Sequence, residues 1–182
     1  MGVLIFFAFL SFVLTQRVVE LAIARRNARQ MTAMGAVEAG QDHYKYLVAL
    51  HICFFASLMA EVFWLERKPP QWWMAPAAAF ILAQGLRYWC MTSLGPFWNT
   101  RIIVLPGAKA VRRGPYRFLR HPNYLAVVAE LLCIPLLFGA WVTAAILSVA
   151  NLYLLSVRIR VEEAALDEAH SSSSTLTRSK RL

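Results

Sequence analysis

The amino-acid sequence predicts an all-α, polytopic integral membrane bundle of about five transmembrane helices, ending in a helical hairpin. Three observations carry this. The 182-residue chain is 59% hydrophobic and 16% charged, with a mean hydropathy of +0.50, whereas a soluble domain averages about half apolar and a quarter charged. The stretch from Pro122 to Val157 holds 36 residues whose only charge is Glu130. Lys and Arg, which outnumber Asp and Glu by 19 to 10, fall in clusters between the apolar stretches. The excess apolar surface must face something other than water, so a soluble enzyme and a disordered regulator are both excluded.

The spans are read in order. Residues 1–16 carry no charge and form the first. Residues 46–65 form the second, with His51 and Glu61 inside it. Residues 69–86 form the third, with Trp72 and Trp73 where an interfacial aromatic anchor belongs. One helix over Pro122–Val157 would reach about 54 Å, far beyond an apolar core of about 30 Å. The stretch is therefore two spans, 122–138 and 140–157, turning near Phe138-Gly139-Ala140. Residues 1–168 make one membrane domain. The Ser171–Ser174 run and the basic residues after it make 169–182 a low-complexity, disordered tail.

Placing the N-terminus outside puts 17 of the 19 Lys and Arg residues on the cytoplasmic side, leaving only Arg67 and Lys68 outside. The positive-inside rule selects this topology, with the C-terminus cytoplasmic, and it accounts for most of the +9 net charge without nucleic acid. The segment 24–41, with Arg25, Arg26 and Arg29, reads equally as a surface-lying helix or a solvated loop helix. Cys53, Cys90 and Cys133 lie in apolar stretches without a CxxC pair, as small buried hydrophobes rather than disulfides or metal ligands. The start lacks the basic region and cleavage site of a signal peptide.

The reactive side chains gather in two places. The first is Arg113-Gly114-Pro115-Tyr116-Arg117-Phe118-Leu119-Arg120-His121-Pro122-Asn123-Tyr124, a turn leading into a helix whose first position suits Pro122. A helix N-terminus here favours an anion, although arginines snorkelling to headgroups explain the composition as well. The second is Arg158-Ile159-Arg160-Val161-Glu162-Glu163, where Arg158 and Glu162 share a helix face. Alone it reads as an ordinary ion pair. The hairpin brings the two clusters to one membrane face, so Arg, His, Tyr and paired Glu meet in one interfacial pocket.

Gly114-Pro115-Tyr116, Arg120-His121-Pro122-Asn123-Tyr124, an apolar hairpin, and Arg158 with Glu162-Glu163 together resemble the isoprenylcysteine carboxyl methyltransferase family, within a wider group that includes phospholipid methyltransferases. Leu94-Gly95, Trp98, Thr100-Arg101 and Val104-Leu105-Pro106-Gly107 look like its bacterial branch, as do Glu20, Arg25-Arg26-Asn27 and His43-Tyr44. The likeness covers roughly residues 10–168 in order. It implies a membrane methyltransferase that uses S-adenosylmethionine held at the cytosolic face. By the family pattern Ala108, Lys109, Ala110, Val111, Tyr116, His121, Pro122, Asn123, Tyr124 and Glu162 contact the cofactor. Arg158 holds the substrate, and Arg120 joins it in the catalytic set. The chain departs from its relatives after Glu163, where a serine run replaces an aromatic-containing helix.

The chemistry agrees. A carboxylate acceptor, with a reference pKa near 4, is already ionised and needs no base or metal, only a fork-shaped cation such as Arg158 to orient it. A phenol, with a pKa near 10, gains from a base, and His121 and Glu130 are the evident candidates. Glu130, Asn151 and Glu163 are read as possible substrate or polar-pocket residues. Glu130 in lipid must face the bundle interior, with Asn151 or Gln84 as its ordinary partner. An acceptor arriving through the bilayer gains about 0.8 kcal/mol per buried CH₂. The expected acceptor is thus lipophilic: a prenylcysteine-like carboxylate, or alternatively an alkylated phenol or pyrone, or a phospholipid amine. Against this stand a small transporter or proton-conducting protein using Glu61, Glu130 and His51, a haem protein using His43, His51 or His121, and a non-enzymatic helical adaptor.

Overall fold

The computed structural model describes the backbone of residues 2–108 and 110–179 and side chains as far as residue 169. Five α-helices follow one another: α1 Gly2–Ala33, α2 Gln41–Trp64, α3 Met74–Leu94, α4 Pro122–Leu137 and α5 Trp141–Ser179. Two short strands, β1 Val37–Ala39 and β2 Ile102–Val104, and two 3₁₀ turns, Gly95–Phe97 and Gly114–Arg117, complete the elements. Helices α1 and α2 and the part Trp141–Ala169 of α5 are long and apolar enough to cross a membrane, while α4 has only 16 residues. The protein is a helical membrane bundle with the expected C-terminal hairpin.

The described residues fall into two compact units, one drawn from Met1–Ala39, Gly95–Lys109 and Ala164–Leu182, the other from Gly40–Leu94 and Ala110–Glu163. In the first, α1 buries Phe6, Leu10, Val13, Glu20, Ala24, Asn27 and Met31. That spacing of three, four or seven residues is one face of a helix. The face continues past the first charged residue, so α1 runs on to Ala33 rather than ending with the span at residue 16. Arg25, Arg26 and Arg29 occupy its exposed side. The Asn27 side-chain amide donates to the carbonyls of Trp98 (2.7 Å) and Gly95 (3.1 Å). Strands β1 and β2 pair antiparallel, Glu38 opposite Ile103, a small sheet that helical periodicity did not predict.

In the second unit α3 packs on α4. Helix α3 buries Phe80, Ala83, Arg87 and Cys90 along one stripe, and α4 buries Ala126, Glu130, Cys133 and Ile134. The third span was expected to stop at residue 86, but the helix continues to Leu94, which carries Arg87 into the interior. There Arg87 and Glu130 form a bidentate pair, and Gln84 adds a hydrogen bond to the same carboxylate at 2.7 Å. Gln84 was one of the two partners expected for Glu130; Asn151, the other, is buried with both amide atoms unpaired.

Glu61, at the end of α2, accepts hydrogen bonds from the backbone N–H groups of Val142 (3.1 Å) and Thr143 (2.7 Å) and pairs with Arg67 at 3.3 Å. It caps the orphan donors of the first turn of α5, a cap borrowed from another helix. Phe138–Ala140 makes the hairpin turn, with Gly139 in the left-handed conformation. Of the cysteines, Cys90 and Cys133 are buried as expected but Cys53 is exposed, because it lies off the buried stripe of α2. The helical backbone of α5 runs on to Ser179, overlapping the stretch from residue 169 that composition reads as a disordered tail.

Removing one member of the Arg87–Glu130 pair strands a buried charge, whereas replacing both with apolar residues does not. Arg87→Met alone is therefore expected to cost about 3 kcal/mol or more. Arg87→Met with Glu130→Leu should recover most of that loss, read from thermal unfolding in detergent.

Candidate active site

The 3₁₀ turn Gly114–Arg117 is pinned to the end of α3. The Arg113 side chain donates to the Ser93 carbonyl, and the Tyr116 hydroxyl and the Cys90 thiol share a hydrogen bond. Gly114 has φ +58°, and a Cβ there would stand 1.9 Å from Ser93 Oγ. Only glycine lets the backbone pass so close to α3. Burial pushes the Tyr116 phenol well above its ordinary pKa, and the neighbouring Cys90, Glu162 and Tyr124 add to that shift. Tyr116 is thus a neutral hydrogen-bonding group at physiological pH. An open depression of about 390 Å³, lined by Arg112, Tyr116, Arg117, Phe118, Leu119 and Arg120, lies at the same loop.

From this turn the chain enters α4 through His121, with Pro122 at the first helical position. Proline lacks an N–H that would be unsatisfied there in any case, so it suits the start of the helix. His121 and Tyr124, three residues apart, stack with ring centroids 5.4 Å apart and planes 15° apart. Facing them, the end of the hairpin's second arm contributes Arg158, Glu162 and Glu163. Arg158 Nε donates to the Tyr124 hydroxyl at 2.8 Å, and that hydroxyl donates to Glu162 Oε2. Arg158 also lies against the Tyr124 ring, 5.7 Å from its centroid. His121 sits 3.4 Å from Glu163 through Nε2 and 3.9 Å from Glu162 through Nδ1.

The two clusters separated by the apolar hairpin are therefore one site. Arg158 is only 6% exposed, and a charge so desolvated persists only with ordered partners, here a phenol bridging it to a carboxylate. Pro122 is buried at the helix start, and Asn123 leaves Oδ1 buried without a partner. The arrangement can bind a cation at Glu162 and Glu163, orient an anion at Arg158, and accept a hydrogen bond at the unfilled Asn123 Oδ1 from a ligand or water.

Arg120 is 89% exposed and reaches Glu163 only at 3.7 Å. Ala108 belongs to the first unit, Lys109 lies outside the described residues, and Ala110 is exposed and Val111 half-buried just before the Tyr116 turn. Glu130 is held by Arg87 and Gln84 on α3 rather than by a group of this cluster. The three residues of the transporter reading are likewise engaged: Glu61 caps α5, Glu130 is paired, and His51 Nδ1 bonds the Leu47 carbonyl at 2.8 Å. Residue spacing missed the Cys90–Tyr116 contact, because a thiol in an apolar stretch carries no polar signature. His43, read from the sequence only within the family likeness and as a haem candidate, has a ring that is acted on by the Arg158 charge.

Gly114→Ala is expected to lift the Tyr116 turn off α3 while leaving helix content unchanged. Trypsin cleavage among Arg112, Arg113 and Arg117 should rise several-fold, and Ser93→Ala in the same chain should reverse part of the rise.

Residues 76–168, which contain both halves of this cluster, match the isoprenylcysteine carboxyl methyltransferase (ICMT) family. The chain is 45% identical over 163 residues to "Uncharacterized protein YpbQ" of Bacillus subtilis, covering 90% of this chain and 97% of that protein. It is 27% identical over 155 residues to an "Uncharacterized protein" of Haemophilus influenzae, covering 85% of this chain and 90% of the relative. No solved structure matches it. The chain belongs to the ICMT family and is a membrane methyltransferase of that type.

Proposed function

We propose that the protein transfers a methyl group from S-adenosylmethionine to an oxygen of a lipophilic acceptor, in the first place the carboxylate of a prenylcysteine-like molecule. The observation that supports this most is the Tyr124 hydroxyl, which joins Arg158 on one side to Glu162 on the other. It fixes an anion-orienting group and a cation-holding group next to each other.

The residues fit the cofactor. Its sulfonium and ammonium charges suit the Glu162 and Glu163 carboxylates, and its ribose hydroxyls or adenine amine can supply the donor that buried Asn123 Oδ1 lacks. Tyr116, His121, Pro122, Asn123, Tyr124 and Glu162 would hold it. When bound, it supplies an electrophilic methyl carbon. What the chain contributes is placement. Arg158 orients the acceptor carboxylate through its planar fork. Tyr124 and Glu162 keep that fork in one rotamer. Burial of Arg158 limits water beside the reacting groups, which matters because opposite charges partly cancel as the reaction proceeds. A carboxylate acceptor is ionised at neutral pH, so no proton need move.

The arrangement of basic residues supports a cytoplasmic site, with the N-terminus outside and the C-terminus inside. There the water-soluble donor and a bilayer-borne acceptor can meet. Partition of a long alkyl or prenyl chain concentrates the acceptor in the membrane, by about 0.8 kcal/mol per CH₂.

Incubation of membranes containing the protein with methyl-labelled S-adenosylmethionine and a lipid extract, followed by mass spectrometry, is expected to yield a labelled lipophilic methyl ester or ether. Arg158→Ala should lower kcat/KM for the acceptor by about 30-fold or more, with cofactor affinity retained in calorimetry. Tyr124→Ala and His121→Ala should weaken the cofactor itself. Equal effects from all three would overturn this division of roles.

A further inference from the structure

His43 lies on the first turn of α2, and its Nε2 is buried without a hydrogen-bond partner. An unpaired buried polar group costs about 1–3 kcal/mol, so its persistence asks for a partner supplied from elsewhere. The ring is held against α5. A Cβ built on Gly40 would stand 2.3 Å from His43 Cε1 and 2.8 Å from Val161 Cγ1, so the two side chains converge on that glycine. Val161 immediately precedes Glu162 and lies three residues after Arg158, which places the imidazole beside the turns of α5 that carry the site. Arg158 from α5 and Asp42 from α2 are the charged groups that act on it.

The other bases near the site are engaged. His121 lies against Glu162 and Glu163, and Glu130 is bonded to Arg87 and Gln84. We propose that His43 is the proton acceptor on the acceptor side of the site, with Nε2 receiving a hydrogen bond from a hydroxyl of the methyl acceptor. This rests on the methyl-transfer reading above and extends it from carboxylates to lipophilic acceptors bearing an ionisable hydroxyl. An imidazole with an ordinary pKa near 6.5 is mostly the free base at pH 7.5. With its own proton on Nδ1, it presents the Nε2 lone pair.

The electron count closes without another reactant. The acceptor oxygen gains the methyl carbon and gives up its O–H bond. The hydroxyl proton passes to Nε2, the electron pair of the broken carbon–sulfur bond stays on sulfur, and the imidazolium then returns its proton to water. A general base of this kind contributes about 10²–10⁴-fold to an acceptor that must lose a proton and little to one already ionised.

The test uses the full chain in nanodiscs, as wild type, His43→Gln and His43→Asn, with three probes sharing one long alkyl chain: a carboxylic acid, a phenol and a nitrophenol. At pH 7.5 both variants are expected to lose about 10²-fold in phenol methylation, and far less with the carboxylic acid. Without cofactor, absorbance of the bound nitrophenol reports its ionisation directly. Its midpoint should lie lower in the variants than in wild type, because a hydrogen bond accepted from the neutral hydroxyl favours the un-ionised form, and Asp42→Asn should leave the difference between wild type and variant in place. Equal losses with phenol and carboxylic acid, no methylation of phenol by wild type, or an unchanged nitrophenol midpoint would overturn the role of His43. Failure of the wild type to bind S-adenosylmethionine in calorimetry would instead overturn the methyl-transfer reading, and the nitrophenol titration stays informative in that case.

Discussion

A charge inside an apolar bundle must find its opposite on another element, and the second unit of this protein is organised by that requirement. A hydrocarbon surrounding offers no water to satisfy a carboxylate or guanidinium. Helix α5 is tied at its start, where Glu61 of α2 takes two backbone N–H groups. Helix α4 is tied in its middle, where Glu130 meets Arg87 and Gln84 of α3. The two hairpin arms are tied to each other at their far ends by Tyr124, Arg158 and Glu162. Apolar contacts alone tolerate a helix sliding or rotating, because lipid tails solvate leucine as well as leucine does. A buried ion pair does not tolerate it, since breaking it leaves both charges unpaired. These tethers set the register, and the register puts His121 and Tyr124 opposite Glu163 and Glu162.

Some of this was legible in the residues and some was not, for identifiable physical reasons. The hairpin followed from the length of Pro122–Val157 and the thickness of a bilayer, with Gly139 supplying the left-handed turn. The meeting of His121–Tyr124 with Arg158–Glu162 followed from that hairpin. The assignment of Gln84 to Glu130 was half of the answer, and Arg87 was absent from it because span reading stops a helix at its first charge. Hydropathy is blind to a buried charge that is paired. The helical period is not: Arg87 falls on the stripe Phe80, Ala83, Arg87, Cys90, as Asn27 falls on the stripe of α1. The contacts of Glu61 and His43 were beyond reach for another reason: they lie with Val142, Thr143 and Val161, over a hundred residues away for His43, and nothing local marks such a pairing.

The cluster combines groups that would repel or desolvate badly if set side by side at random. Arg158 is buried, yet its Nε donates to a neutral phenol, and the carboxylate is reached one hydroxyl further on. The phenol spaces the opposite charges while keeping both oriented. A direct contact would satisfy each charge with the other. The bridged arrangement keeps Glu162 close to His121 and Arg158 close to the start of α2. One tyrosine hydroxyl thereby stands between the carboxylate side and the guanidinium side of the cluster.

The depth of the site follows from the unequal arms of the hairpin. Helix α4, at 16 residues, rises about 24 Å, whereas an apolar bilayer core is about 30 Å thick. Its N-terminal end therefore stays near the edge of such a core, and α5 continues beyond it. The charged members of the cluster meet α4 at that end. Groups there are dry enough for Tyr124 and Arg158 to matter electrostatically, yet near enough to water for a polar donor to enter. A longer α4 would lift His121 and Tyr124 toward solvent, and a shorter one would draw Glu162 toward lipid, so the length of this one helix sets the depth at which the cluster sits.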